Sequence, residues 1–209
     1  MKTIAKLCKI DDSNRHDHIR LSKNDQCYYF YEYTAYTAGE SWSKSNQFIW
    51  NLKKEIGRKN ENDYLYKLSA IKEAAQLLNT VFKNHANILS QAIICPIPPS
   101  KIKTDPYYDD RMTKVCQIAC ENIETTLCEL IEQTKPYPSS HRQKEGERIT
   151  VDNLKNIYKL SQRITQPFVI FIDDLITTGT HFIACKEVIL EAHPTTKVFG
   201  LFIARRAII

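Results

Sequence analysis

Two adjacent carboxylates before a turn rich in threonine form the chemically most suggestive part of this chain. Asp173 and Asp174 come directly after the apolar run 168–172. The turn that follows contains Thr177, Thr178, Gly179 and Thr180. Backbone N–H groups and hydroxyls of such a turn can converge on an anion, while carboxylates can bind sugar hydroxyls or a cation. These residue types at this spacing predict a site for a phosphorylated sugar.

The elements around this turn are predicted to be a buried strand and a helix. Five consecutive large apolar residues, 168–172, are typical of a strand that is buried on both faces. An amphipathic segment begins at His181 and predicts a helix, whose start would place partial positive charge beside the turn. The alternative is an ordinary strand-turn-helix without a ligand, because Asp and Thr also favour turns and helix caps.

Strands and helices alternate over the C-terminal two-thirds of the chain. Strands are predicted at 92–97, 156–160, 168–172 and 198–204, and helices at about 64–84, 107–132 and 181–192. This alternation predicts an α/β fold with a parallel β-sheet flanked by helices. Ligands of such sheets bind beyond the carboxyl ends of the strands. The loops 98–101 and 173–180 are therefore expected to meet in one crevice.

The N-terminal part is predicted to form a unit of its own. Residues 1–60 are interpreted as an arm and a small hood, and residues 61–209 as the α/β core. The first twenty-five residues are polar and predict a loosely held arm. The aromatic stretch Cys27–Thr37 predicts a strand, and Ser45 is expected to cap the helix that follows.

The composition is that of a water-soluble protein of one main core. The 209 residues include 29 basic and 24 acidic side chains, a net charge of +5 that by itself does not indicate nucleic-acid binding. No apolar run predicts a membrane span or a signal peptide, so a cytoplasmic location is expected. The 7 cysteines are scattered without a Cys-x-x-Cys pair, which favours reduced thiols over disulfides or a zinc site.

Residues 168–180, FVIFIDDLITTGT, resemble the 5-phosphoribosyl-1-diphosphate (PRPP) motif of the type I phosphoribosyltransferases over thirteen contiguous positions. The resemblance implies the type I phosphoribosyltransferase fold and a Mg²⁺-dependent transfer of ribose 5-phosphate from PRPP to a nitrogen nucleophile, with release of diphosphate. Asp173 and Asp174 would hold the ribose hydroxyls directly or through Mg²⁺. The turn 177–180 would hold the 5′-phosphate. The nitrogenous acceptor is not indicated.

Two further segments are similar to other loops of this family. Pro99, Ser100 and Lys101 stand where the family's diphosphate loop grips the leaving group. The polar stretch 133–150 falls where the family often carries a flexible loop that closes over the ligand. Its candidate catalytic residues are His141, Arg142, Lys144 and Arg148. The alternative for this stretch is a solvated surface loop, in which charges are normal.

Within the family, the chain resembles most the branch of the competence protein ComF. The similarity includes Phe48–Lys54, Pro96–Pro98, a region around Arg111, and the pattern of Gln143, Glu147, Arg148 and Asn153. The N-terminal zinc-binding cysteines typical of that branch are missing. Thr177 also stands where the family's 6-oxopurine enzymes have a catalytic Asp, which argues against hypoxanthine or guanine as the acceptor.

Other functions compatible with the same residues are a PRPP-binding regulator without turnover and a ComF-like accessory protein of DNA uptake or DNA transactions. DNA is expected as a partner only in the second case, and no membrane partner is expected. The oligomeric state is left open, with a homodimer as one option.

Overall fold

A six-stranded, mostly parallel sheet forms the centre of the protein. The computed structural model describes residues 6–34, 42–137 and 149–208. The strands of this sheet are β1 (Cys8–Lys9), β2 (Gln26–Thr34), β3 (Ala92–Pro96), β4 (Thr126–Leu127), β7 (Phe168–Ile176) and β8 (Lys197–Ala207). Their order is β1-β2-β8-β7-β3-β4. All neighbours pair in parallel except β1, which is antiparallel to β2.

Helices cover both faces of this sheet. The first face packs against α1 (Lys44–Leu52), α2 (Leu65–Asn84), α3 (Ala86–Leu89) and α4 (Arg111–Ala119). The second face packs against α5 (Val151–Lys155) and α6 (Thr180–Ala192), together with a separate antiparallel pair, β5 (Ile131–Gln133) and β6 (Tyr158–Leu160). This arrangement confirms the predicted α/β class with a parallel sheet flanked by helices.

Strand β7 is apolar throughout its first half because both of its faces are buried. Val169 and Phe171 belong to the core on the α6 side, while Ile170 and Ile172 contact the core on the α2 side. Side chains alternate between the faces of a strand, so a strand between two helical layers needs a continuous apolar run. Burying one such large side chain contributes about 1.5 to 3 kcal/mol.

The N-terminal residues are held more firmly than their sequence predicts. Strand β2 lies in the central sheet, parallel to β8, and β1 pairs with β2. Between these two strands, Asp17, His18 and Asp25 are buried. The prediction of a loosely held arm is therefore wrong for the described residues 6–25, because polarity was mistaken for exposure. The division of the chain near residue 60 stays a prediction.

The cap of helix α1 is displaced by two residues from the prediction. The side chain of Ser43, not of Ser45, accepts a hydrogen bond from the Asn46 N–H at 3.0 Å. The Ser45 hydroxyl instead donates to the carbonyl of Glu32 at 2.7 Å, which ties the helix start to β2.

The prediction of one long helix over 107–132 is wrong. Helix α4 ends at Ala119, and Asn122 adopts a left-handed conformation with φ of 59°. Asparagine tolerates this conformation, which turns the chain away from the helix axis. The chain then forms β4, whose Thr126 and Leu127 pair with β3. Pairing with the free edge of β3 was thus more favourable for this segment than continuing the helix that its apolar spacing predicts.

The predicted loop 133–150 is shorter at both ends than its polarity suggests. Gln133 belongs to β5, and Thr150 caps α5, a helix that the sequence did not predict. Residues 138–148 lie outside the described part of the chain. The predicted strand at 156–160 is confirmed as β6. No helix within the described ranges is long and apolar enough to cross a membrane.

Candidate functional site

The candidate site is built around the turn between β7 and α6. Gly179 is the N-cap of α6 with φ of 88°, and it offers no side chain to cap the helix. The hydroxyls of Thr178 and Thr180 lie 2.8 Å apart. No described residue accepts a hydrogen bond from the backbone N–H groups of Gly179, Thr180 or His181. Such free N–H groups at the start of a helix of 13 residues favour an anion.

Asp174 is buried and neutralised by two cations. Its side chain is only 2% exposed, and its Oδ1 lies 2.9 Å from Nζ of Lys53. Its Oδ2 accepts hydrogen bonds from Nε and Nη2 of Arg111, at 2.8 and 2.5 Å. Burial alone would raise the pKa of Asp174, but the charges of Arg111 and Lys53 outweigh it and hold the pKa well below its usual range. Asp174 is thus a charged carboxylate whose oxygens are already in contact with protein.

Asp173 has a different environment, although it is the next residue. Its Oδ1 accepts a hydrogen bond from the Asp174 N–H at 2.8 Å. Burial, reinforced by the neighbouring Asp174 carboxylate, raises the pKa of Asp173 to about 7. Asp173 lines a small cavity of about 10 Å³ together with Thr177, Gly179 and Thr180. The structure therefore joins only the first of the two acids to the turn.

Both acids lie inside β7 rather than beyond its end, because the strand continues to Ile176 through pairing with β8. Successive residues of a strand point to opposite faces. Asp174 consequently reaches α1 and α4 on one side of the sheet, while Asp173 faces the α6 side. The expectation that the two carboxylates act side by side did not take this alternation into account.

The loop after β3 lies beside the same end of β7. The Ile97 N–H donates to the carbonyl of Ile172 at 2.9 Å, which fixes the start of this loop against β7. The carbonyl of Ser100 accepts hydrogen bonds from Nε2 of Gln133 at 2.9 Å and from the N–H of Tyr137 at 3.2 Å. The loops that follow β3 and β7 thus lie at one edge of the sheet, as the sequence predicts.

Of the predicted diphosphate-loop residues, Pro99, Ser100 and Lys101 are all partly exposed. The Lys101 side chain is 43% exposed, and its Nζ lies 3.1 Å from a carboxylate oxygen of Asp105. An exposed pair of this kind is weak, so the ammonium group can exchange Asp105 for another anion at little cost.

An aromatic stack connects the start of the polar stretch 133–150 to the helix that follows the turn. The rings of Tyr137 and His181 lie 5.8 Å apart at an angle of 26°. Burial, together with the charge of Lys53, lowers the pKa of His181 to about 4, so this side chain is neutral at neutral pH. Tyr137 is the last described residue before 138–148. The candidates His141, Arg142, Lys144 and Arg148 lie outside the described residues.

A larger cleft of about 480 Å³ opens beside the β3 loop. Pro98, Pro99 and Tyr108 contribute flat apolar surface, and Glu129 and Gln133 contribute polar atoms. Its volume lies within the range of small-molecule sites. Ile97 lines both this cleft and the small cavity at Asp173, so the two spaces are neighbours.

Sequence reasoning missed Lys53 and His181 as parts of the site, and it considered Arg111 only through a resemblance. Lys53 directly follows α1 and Arg111 begins α4; both are far from Asp174 in the chain, and Arg111 precedes it by 63 positions. Charged residues at helix ends are common and usually face solvent, so the spacing of these residues in the sequence did not indicate their contacts with Asp174.

No group of three or more His, Cys, Asp or Glu side chains suited to a metal ion occurs among the described residues. All 7 cysteines are free thiols. Comparison with models of known protein families gives no match, and no curated protein matches the chain. The interpretation of the site consequently depends on the geometry described above.

Proposed function

We propose that this protein is a phosphoribosyltransferase that binds PRPP with Mg²⁺ and transfers ribose 5-phosphate to a nitrogen nucleophile, with release of diphosphate. The proposal includes the type I phosphoribosyltransferase form of the α/β fold. The single observation that carries it is the meeting of Asp173, the threonine- and glycine-rich turn and the start of α6 in one cavity. A carboxylate next to free N–H groups is suited to a ligand that carries hydroxyls and a phosphate.

Each part of the site has a role in this proposal. The N–H groups of residues 178–181 would bind the 5′-phosphate, since no described residue competes for them. Asp173 would accept hydrogen bonds from the ribose hydroxyls. Asp174 would hold Asp173 and the end of β7 in place through Arg111 and Lys53, instead of contacting the sugar.

The leaving diphosphate is assigned to the loop after β3. Lys101 would exchange its exposed contact with Asp105 for the diphosphate, and the backbone N–H groups of Ser100 and Lys101 would face it. His141, Arg142, Lys144 and Arg148 are proposed to close over the ligand and to exclude water. The stack of Tyr137 on His181 would anchor the start of that segment.

The residues present fit a Mg²⁺ ion that takes most of its ligands from PRPP and water. Asp173 has one carboxylate oxygen that does not accept the Asp174 N–H, whereas both oxygens of Asp174 contact cations. Mg²⁺ commonly binds through one or two carboxylates plus substrate phosphates. When bound, the ion would neutralise charge on the departing diphosphate.

In the transfer, the bond between ribose C1 and the diphosphate oxygen breaks, and a bond between C1 and the acceptor nitrogen forms. The diphosphate leaves with the electron pair of the broken bond, and the proton of the acceptor N–H passes to solvent water. Positive charge develops on the ribose ring at the transition state, where Asp173 in its deprotonated form would be favourable. Burial of the site strengthens this interaction because the local dielectric constant is low.

A second candidate function is a PRPP-binding regulator without turnover. The observation that favours it is the enclosure of Asp174 by Arg111 and Lys53, which leaves only one acid for the sugar. Such a protein would bind PRPP and would not release diphosphate from it with any acceptor.

Calorimetry with PRPP and Mg²⁺, followed by diphosphate release over a panel of bases and amines, tests the proposal. Wild-type protein should bind PRPP, and Asp173→Asn should weaken binding by about 10- to 100-fold, as expected for loss of hydrogen bonds to a charged group. Asp152→Asn, an exposed acid on α5, is the matched control and should bind normally. Absence of PRPP binding by the wild-type protein contradicts both candidate functions, whereas binding without diphosphate release favours the regulator.

A further inference from the structure

The segment His18–Leu21 lies directly against the turn of the candidate site. Nδ1 of His18 forms a hydrogen bond with the carbonyl oxygen of Thr177. The N–H of Arg20 donates to the carbonyl of Thr178 at 3.0 Å. Leu21 packs on Gly179 so closely that a Cβ atom there would lie 2.9 Å from Cδ2 of Leu21. Three successive residues of the turn are therefore supported by one stretch of the N-terminal part.

Two ion pairs hold this segment in place from both sides. Asp17 contacts Arg205 of β8 at 2.7 Å, and Asp25 contacts Lys186 of α6 at 2.5 Å. The two acidic side chains are 4% and 3% exposed. Buried, hydrogen-bonded pairs of this kind strongly restrict the groups that form them. The segment is thus fixed to the two elements that follow the turn in the chain.

The contacts with the segment determine where the turn's N–H groups point. In a planar trans peptide unit, the carbonyl of one residue and the N–H of the next point in opposite directions. The carbonyls of Thr177 and Thr178 face the segment, so the N–H groups of Thr178 and Gly179 point away from it. No described residue accepts a hydrogen bond from either N–H group. They are available to a ligand on the opposite side of the turn.

His18 is suited to this role in its neutral form. Its partner is a carbonyl oxygen, which can only accept, so Nδ1 must carry the proton. The side chain is fully buried, and burial lowers the pKa of His18. Nε2 has no hydrogen-bond partner among the described residues, so a proton on it would leave a buried donor unpaired.

We propose that His18 is a positioning residue of the phosphate site: through the carbonyl of Thr177 it fixes the peptide plane between Thr177 and Thr178 and aims the Thr178 N–H at the bound phosphate. This inference rests on the proposed binding of a sugar phosphate. It assigns a part in ligand binding to the N-terminal segment.

The test compares the binding of ribose 5-phosphate, measured by calorimetry, among three variants and the wild-type protein. His18→Leu removes the donor and should weaken binding about tenfold, because the Thr178 N–H loses its fixed direction. His18→Asn places an N–H donor near the position of Nδ1 and should recover most of the affinity. His16→Leu is the matched control, since His16 is 71% exposed and does not contact the turn, and it should bind like the wild type.

Nitrogen-15 NMR of the ligand-free protein provides a readout that a general loss of stability does not produce. The His18 ring should show the tautomer with the proton on Nδ1, and His18→Leu should shift the amide signals of Thr178 and Gly179 more than His16→Leu does. A proton on Nε2 of His18 in the wild type overturns the proposal even if His18→Leu does not fold.

The outcomes also separate this proposal from the proposed function. If the wild type binds ribose 5-phosphate and His18→Leu, folded, binds it equally well, only the role of His18 is overturned. If the wild type does not bind ribose 5-phosphate, the proposed function fails, and the role of His18 in it fails with it.

Discussion

Replacing Asp174 by Asn should destabilise the protein strongly, whereas the same change at Asp173 should not. Asn keeps the shape of the side chain and removes the charge that Arg111 and Lys53 neutralise. At the Lys53 distance of 2.9 Å, one such contact corresponds to about 6 kcal/mol before desolvation, with an effective dielectric constant of about 20. Removing one partner of a buried pair has a net effect of about 3 to 5 kcal/mol.

The lower end of this range applies because both cations have other ways to be solvated. Lys53 is 26% exposed and can regain water, and Arg111 keeps its contact with Asp109 at 2.6 Å. A loss of about 3 kcal/mol lowers the melting temperature of a protein of this size by roughly 6 to 12 °C. At Asp173, the Asn side chain removes a carboxylate that repels Asp174, so the melting temperature should stay constant or rise.

Thermal and urea unfolding at neutral pH measure both effects. The control is Asp12→Asn, whose acid is 93% exposed and pairs with Arg15 at the surface, and which should change stability by less than about 1 kcal/mol. If Asp174→Asn has the same free energy of unfolding as this control, the ion pairs of Asp174 with Arg111 and Lys53 do not stabilise the protein in solution. The assignment of different roles to the two acids would then be refuted.

Three further predictions concern pH, the turn and the buried lysine. The pKa of Asp173 is raised from 3.8 to about 7, so the folded state binds this proton more tightly than the unfolded state does. The free energy of unfolding should therefore fall as the pH rises from about 4 to about 7, and urea unfolding of Asp173→Asn should lack this pH-dependent decrease. Gly179→Ala should lower the free energy of unfolding by about 1 to 3 kcal/mol and weaken phosphate binding, because alanine disfavours φ of 88° and its Cβ would contact Leu21. Wild-type values in calorimetry and urea unfolding would contradict the described turn. Lys67→Met should lower the free energy of unfolding in urea by about 1 to 3 kcal/mol, because the ammonium group is buried and hydrogen-bonded to Asp109 at 2.7 Å. An unchanged urea midpoint would show that this pair is not formed.

The sequence by itself determined the local parts of the site. Five apolar residues, two acids and a Thr-Thr-Gly-Thr turn predicted a buried strand and a helix from His181, and the structure has the strand and a helix that begins at Thr180. These features depend on neighbours in the chain: on side-chain alternation, on the freedom of Gly179 at positive φ, and on the end of an apolar run. The alternation of strands and helices likewise led to the α/β class.

Only the tertiary structure decided which groups surround these local parts. Asp174 is paired with Arg111 across 63 positions, and His18 contacts Thr177 across 159 positions. The segment 107–132 has helical spacing, yet it ends in a strand because the edge of β3 offers hydrogen bonds there. Contacts of this kind arise when distant elements pack against one sheet, and the residues that make them carry no mark in the sequence beyond their charge or polarity. The two acids of β7 are neighbours in the chain, but the opposite faces of the strand give them different partners and different pKa values, and we therefore propose different roles for them.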